Sequence, residues 1–118
     1  MRLGELVASF NALNNLSQGK MKAKQAYRLS RVLMEASSHY ESFNDIREKA
    51  VAKFGKKNED GNYEVDPKSK DFKKFDAEMS ALLDEEVDMK FDRIKLSEIG
   101  NIEVTVADMV ALDWLIDN

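Results

Sequence analysis

Cysteine is absent from this sequence, which excludes a disulfide framework and any zinc site built on thiolates. Only one proline and five glycines punctuate 118 residues. So few breakers leave room for long uninterrupted elements, and helix is the natural reading. No stretch approaches the roughly 18 consecutive apolar residues of a membrane span. Met1 to Phe10 carries Arg2 but no apolar signal-peptide core. A cytoplasmic location with no membrane contact is therefore expected. The one histidine is His39, so no Glu-x-x-His pair of the kind used in di-metal helical bundles exists.

What is present fits one helical domain spanning residues 1–118. The apolar fraction is 43% and the charged fraction 34%, as expected for helices that share one thin core and expose charged outer faces. The net charge of −4 argues against a general nucleic-acid binder. Charge is unevenly spread: residues 1–75 carry a net +5 and residues 76–118 a net −9. Either the two halves pack so that their fields offset, or the acidic half is offered to a basic partner.

Apolar spacing sets the expected elements. Leu3, Leu6, Val7, Phe10, Leu13 and Leu16 mark one face of a first helix. From Lys20 to Phe54, Ala26, Leu29, Leu33, Ala36, Tyr40, Phe43, Arg47, Ala50 and Phe54 alternate gaps of three and four, a heptad seam breached only by Arg47. Gly55 stands where a C-cap glycine belongs. The connector Lys56–Lys70 contains the turn signal Asp60-Gly61, and Tyr63 and Val65 alternate with polar neighbours, which predicts a small β-hairpin within 56–66. Asp66-Pro67 then opens a third helix running to about Met89, with Phe72, Phe75, Met79, Leu82, Glu86 and Met89 as its seam. The two seamed segments predict an antiparallel helical hairpin. Beyond it, Ile102 and Val104 suggest a short strand. Thr105 with Asp108 forms a capping-box pattern ahead of a closing helix from Val106 to Ile116, in which Trp114 anchors on the hairpin. The fold class is thus mainly α: a long hairpin, an N-terminal helix and a C-terminal strand-plus-helix cap.

Few constellations invite chemistry. Lys56 to Gly61 faintly resembles a calcium loop, but Lys56 would occupy the first ligand position and Pro67 the closing carboxylate, so no calcium site is expected. Ser37, Ser38 and Ser42 neighbour His39 in sequence, yet a long helix supplies neither a strained nucleophile turn nor an oxyanion hole. No glycine-rich phosphate loop is present. No catalytic residue, cofactor or metal is assigned. Lys20, Lys24, Arg28 and Arg31 share one helix face and could track phosphates or an acidic protein surface, or could simply be solvated. Asp84, Glu85, Asp88 and Asp92 form a candidate acidic docking face. Arg47 and Glu86 occupy seam positions. If facing residues across the hairpin have numbers summing to about 124, Glu86 would reach His39 or Tyr40, and Arg47 would lie near Asp76 to Met79, because buried charges need partners.

Four stretches carry a resemblance: Leu3-Gly4-Glu5-Leu6 with Phe10-Asn11-Ala12-Leu13; Lys56 to Tyr63; Ile94 to Ile99; and Val104 to Leu112. Together they look like small proteins of unknown function encoded by bacteriophages and prophages, over most of the chain as an arrangement of elements. The resemblance implies a phage origin and no reaction, and no functional residue carries over from it. The leading expectation is a non-enzymatic protein-binding module, a phage accessory protein that binds, or inhibits, a host or phage protein. The alternatives are an assembly protein that oligomerises through the seam, and a nucleic-acid-associated protein using the basic stripe. If Glu86 sets register across the hairpin, Glu86→Leu should raise or preserve stability in a urea denaturation; a collapse of folding would refute the pairing.

Overall fold

Helix α1 (Leu3–Ser17) is the element around which the others are placed. In the computed structural model, which describes residues 1–117, Leu6, Leu13 and Leu16 of α1 are fully buried. Asn118, the last residue of the expected domain, lies outside the described residues. Helix α2 (Ala23–Phe54) runs back along α1 and is about 48 Å long at 1.5 Å per residue, close to the 50 Å long axis of the molecule. A two-stranded antiparallel hairpin, β1 (Lys56–Lys57) and β2 (Tyr63–Glu64), leads into α3 (Lys70–Leu83), which returns along α2 and also touches α1. The expected mainly α architecture and helical hairpin are therefore present.

The α2 seam is real and shows a seven-residue beat. Leu29, Ala36, Phe43 and Ala50 are buried, and Leu33, Tyr40 and Phe54 are half-buried. Val32 and Gln25 add a second buried row over the N-terminal part, where β3 (Ile94–Lys95) also contacts α2. Ala26, expected in the seam, is exposed there instead. Tyr40 stacks flat on Phe10 of α1, with ring centroids 4.3 Å apart, and so joins the two helices.

The connector follows the predicted hairpin. Asn58 organises its turn: the side-chain Oδ1 accepts from the Asp60 and Asn62 amides, both at 3.0 Å. Gly61 takes a positive φ of 86°, a conformation glycine adopts freely. Gly55 caps α2, though with extended rather than left-handed backbone. A Cβ at Gly55 would collide with the carbonyl oxygens of Val51 and Glu64, so close approach of backbone explains this glycine. Asp66 does not cap α3 itself. Its Oδ1 accepts from Lys68 N at 2.9 Å, forming a turn ahead of the N-cap Ser69.

Two expectations need correction. Helix α3 stops at Leu83 rather than near Met89. The backbone there is taken by another partner: Leu3 N donates to Glu85 O at 2.8 Å, and Val87 N to Met1 O at 2.7 Å. This antiparallel bridge pulls residues 85–87 out of the helical path, while Val87 still reaches the core. Ile102–Val104 forms no strand. The C-terminal pairing is instead parallel, between β3 and β4 (Ile116–Asp117), with the four-residue α4 (Leu96–Ile99) and α5 (Val106–Ala111) between them. Helix α5 is shorter than expected. Its predicted cap holds: Thr105 Oγ1 accepts from Asp108 N at 3.0 Å. Asp108 does not complete a capping box, since its carboxylate accepts from Asn15 Nδ2 of α1 at 3.5 Å. Trp114 anchors on α1 and not on the hairpin, donating to Ser9 Oγ at 3.2 Å with Phe91 edge-on at 5.2 Å.

Leu13→Ala should destabilise the fold by about 2–5 kcal/mol, because it opens a cavity in a fully buried site. Gly55→Ala should lower stability by about 1–3 kcal/mol through forced backbone displacement. Equilibrium urea denaturation measures both, and Tyr63→Ala in the exposed hairpin should stay within about 0.5 kcal/mol of the parent.

Candidate functional site

Lys20, Lys24 and Arg31 of the basic stripe are exposed, and Arg28 is half-buried on the flank of α2. Lys20 sits in the connector before the helix; Lys24, Arg28 and Arg31 follow on α2 itself. The buried set Gln25, Leu29, Val32 and Ala36 faces the other way, so the helix that closes the core also holds these cations outside it. Ion pairs within the molecule are Met1 amino group–Glu86, Arg2–Asp84, Lys53–Glu78 and Lys74–Asp71. None of the four stripe cations enters an ion pair among the described residues, so the basic and acidic parts do not offset each other through contacts there. Two large side chains share this face: Tyr27 is 67% exposed and Met34 63% exposed. Neither entered the reading of the stripe from the sequence. Their spacing of seven, on the same face as Arg31, was the available signal.

The acidic residues Asp84, Glu85, Asp88 and Asp92 are all exposed. Asp84 caps the end of α3, 3.8 Å from the Arg2 guanidinium, and the other three lie on the extended segment that follows. Asp84 and Glu85 sit beside the start of α1, as the Arg2–Asp84 ion pair and the Leu3–Glu85 backbone hydrogen bond require, whereas the stripe begins beyond the end of α1.

The expected polar seam is not formed. Glu86 is 76% exposed, outside α3, and its carboxylate lies 3.4 Å from the Met1 amino group. Arg47 is exposed and donates to Asn44 Oδ1 at 3.0 Å. His39 is half-buried, and Tyr40 serves as an aromatic contact with Phe10. The register was also misjudged: Lys53 pairs with Glu78 at 3.4 Å, seven positions away from a sum of 124. The helices end at Phe54 and begin at Lys70 as the register assumed, so the offset arises in how they pack and not in the length of the connection. Exposing both charges avoids the desolvation that a buried pair would have to offset.

A second feature was missed altogether. A groove of about 510 Å³ separates the Lys20–Gln25 segment from α4, lined by Lys20, Met21, Lys22, Gln25, Glu98 and Gly100 among others. Gln25, at 8% exposure, is one of two buried polar residues of the fold. No His, Cys, Asp and Glu cluster able to hold a metal occurs among the described residues, and none of their helices is long and apolar enough to cross a membrane.

No protein-family model, no curated protein and no solved structure matches this chain.

Because the stripe has no intramolecular partners, the triple reversal Lys24→Glu, Arg28→Glu, Arg31→Glu should change unfolding free energy by less than about 1 kcal/mol. Urea denataturation at low and high salt checks this. A loss of several kcal/mol would mean the stripe is spent on the fold.

Proposed function

We propose that the chain is a non-enzymatic protein-binding module that docks an acidic partner through the outward face of α2. One observation carries this reading. Three cations, Lys24, Arg28 and Arg31, are free of ion pairs among the described residues and interleaved with exposed Tyr27 and Met34. Arginine, tyrosine and methionine are enriched at protein interfaces, and arginine and tyrosine dominate their energetic centres. A rigid helix presents them without the ordering penalty of a loop. The resemblance to phage-encoded proteins supports a phage or host protein as the partner and the bacterial cytoplasm as the setting. It is equally compatible with an inhibitory role.

Nucleic acid is the competing ligand for the same cations. The net charge of −4 and the exposed acids at Glu85, Asp88 and Asp92 weigh against it, since a polyanion would be repelled by most of the surface. Assembly through a second copy is the other alternative, and the exposed Val106 and Val110 of α5 are the apolar surface available for it.

Affinity capture from a bacterial lysate with parent and triple-reversed baits is the test. A protein retained by the parent should be lost on reversal, and Tyr27→Ala should weaken its capture by about 1–3 kcal/mol while leaving the urea midpoint unchanged. Retention that ignores both changes would exclude this face. A salt-dependent DNA mobility shift abolished by the same reversal would favour nucleic acid, and a solution mass above 13.5 kDa that rises with concentration would favour assembly.

A further inference from the structure

The groove between the start of α2 and α4 has two walls of opposite character. On one side stand Lys20, Lys22 and the first turn of α2. That 32-residue helix opens without a side-chain cap, since its N-cap is Lys22, and without an acidic residue in its first turn. Its free amides and positive dipole end are therefore unanswered by the chain itself. Neither lysine forms an ion pair among the described residues. Two acceptors lie between this wall and α4, Gln25 from the same first turn and Glu98 from α4. Gln25 is more than nine-tenths buried and its Oε1 has no hydrogen-bond donor; Glu98 Oε2 is likewise buried without one. Both residues line this one groove.

Buried acceptors without donors are rare, because each forfeits its hydration with nothing in return. Two in one groove ask for a ligand that brings N–H donors. A carboxylate among them favours a cationic donor over a neutral one. The lysines and the helix terminus ask for an anion. We infer that the groove is a binding site for a small zwitterion of the amino-acid class, its ammonium held by Glu98 and Gln25 and its carboxylate by Lys20, Lys22 and the α2 terminus. The groove has room for such a ligand. Apart from Lys20, which stands between the two surfaces, this site shares no residue with the protein-docking face. It uses the inner side of the α2 start, whereas Tyr27, Arg31 and Met34 point outward, so either can fail without the other.

The full chain is titrated with each of the twenty free L-amino acids, by thermal shift and then by ¹⁵N-resolved NMR. At least one should raise the melting temperature and move the Gln25 side-chain amide together with the Glu98 and Lys22 backbone signals. For that amino acid, the N-acetyl derivative and the carboxamide should each bind about tenfold or more weakly, as should Glu98→Gln and Lys22→Ala with the parent ligand. Glu98→Gln keeps size and polarity, and circular dichroism confirms that the variant is folded. Absence of any shift with all twenty would overturn the proposal. So would equal binding of the N-acetyl derivative, which would mark a bare anion site, or equal binding of the carboxamide, which would mark a bare cation site.

Discussion

The fold depends on keeping α1 covered from more than one side. Leu6, Leu13 and Leu16 are fully buried, with Leu3, Ser9 and Ala12 nearly so, along a helix of only 15 residues. A helix of that length is marginal in water on its own, so packing must hold it. Each fully buried leucine contributes about 1.5–3 kcal/mol. Helix α2 supplies one wall, through the Phe10–Tyr40 stack. The C-terminal segment supplies another, where Trp114 donates to Ser9 and Asp108 accepts from Asn15. Ser9 is acceptable in this core because its hydroxyl donates to Leu6 O at 2.9 Å while accepting from Trp114. The same demand reaches the ends of the chain: Met1 to Leu3 pair with Glu85 to Val87, and that pairing ends α3.

Which elements were legible in the sequence follows from the range of the interactions that define them. The α2 stripe depends on local spacing and survives nearly intact, as do the 56–66 hairpin, with its Asp60-Gly61 turn, and the Thr105 cap. The end of α3 was illegible because its seam pattern continues through Val87 and Met89, which do contribute to the core, but from an extended backbone. Only the long-range pairing with Met1 and Leu3 separates the two conformations. Ile102 and Val104 alternate as strand residues do, yet Ile102 is half-buried by packing over Gly19 rather than by a sheet. The true strand pair, Ile94 with Ile116, is two residues long on each side and carries no turn signal, since a parallel pairing needs none nearby.

The functional surfaces divide in the same way. Helical spacing alone brought Lys24, Arg28 and Arg31 together, so the stripe could be read from the sequence. The partners expected for Glu86, His39 or Tyr40, and for Arg47, Asp76 to Met79, are not found, because that expectation assumed that polar seam positions must be buried. Both charges are exposed instead, and Glu86 lies outside α3. Gln25 was invisible for the opposite reason: a glutamine among lysines at a helix start reads as solvent-facing. Only the approach of α4 and β3 to α2 buries it.

Helix α2 therefore carries an internal conflict at its first turn. Lys20, Lys22 and Lys24 gather at the positive end of the longest dipole in the molecule, where each cation is disfavoured by a few tenths to about 1 kcal/mol. An acidic residue in the first turn would relieve this, and none is present. Asp84 and Glu85 are held at the far end of α1 by the Leu3–Glu85 and Met1–Val87 pairing that the core requires, and the acid that faces the start of α2 is Glu98 of α4. The start of α2 thus has one side turned to solvent and the other to a groove containing unpartnered acceptors. An anion that approaches α2 from outside meets cations that no ion pair among the described residues neutralises.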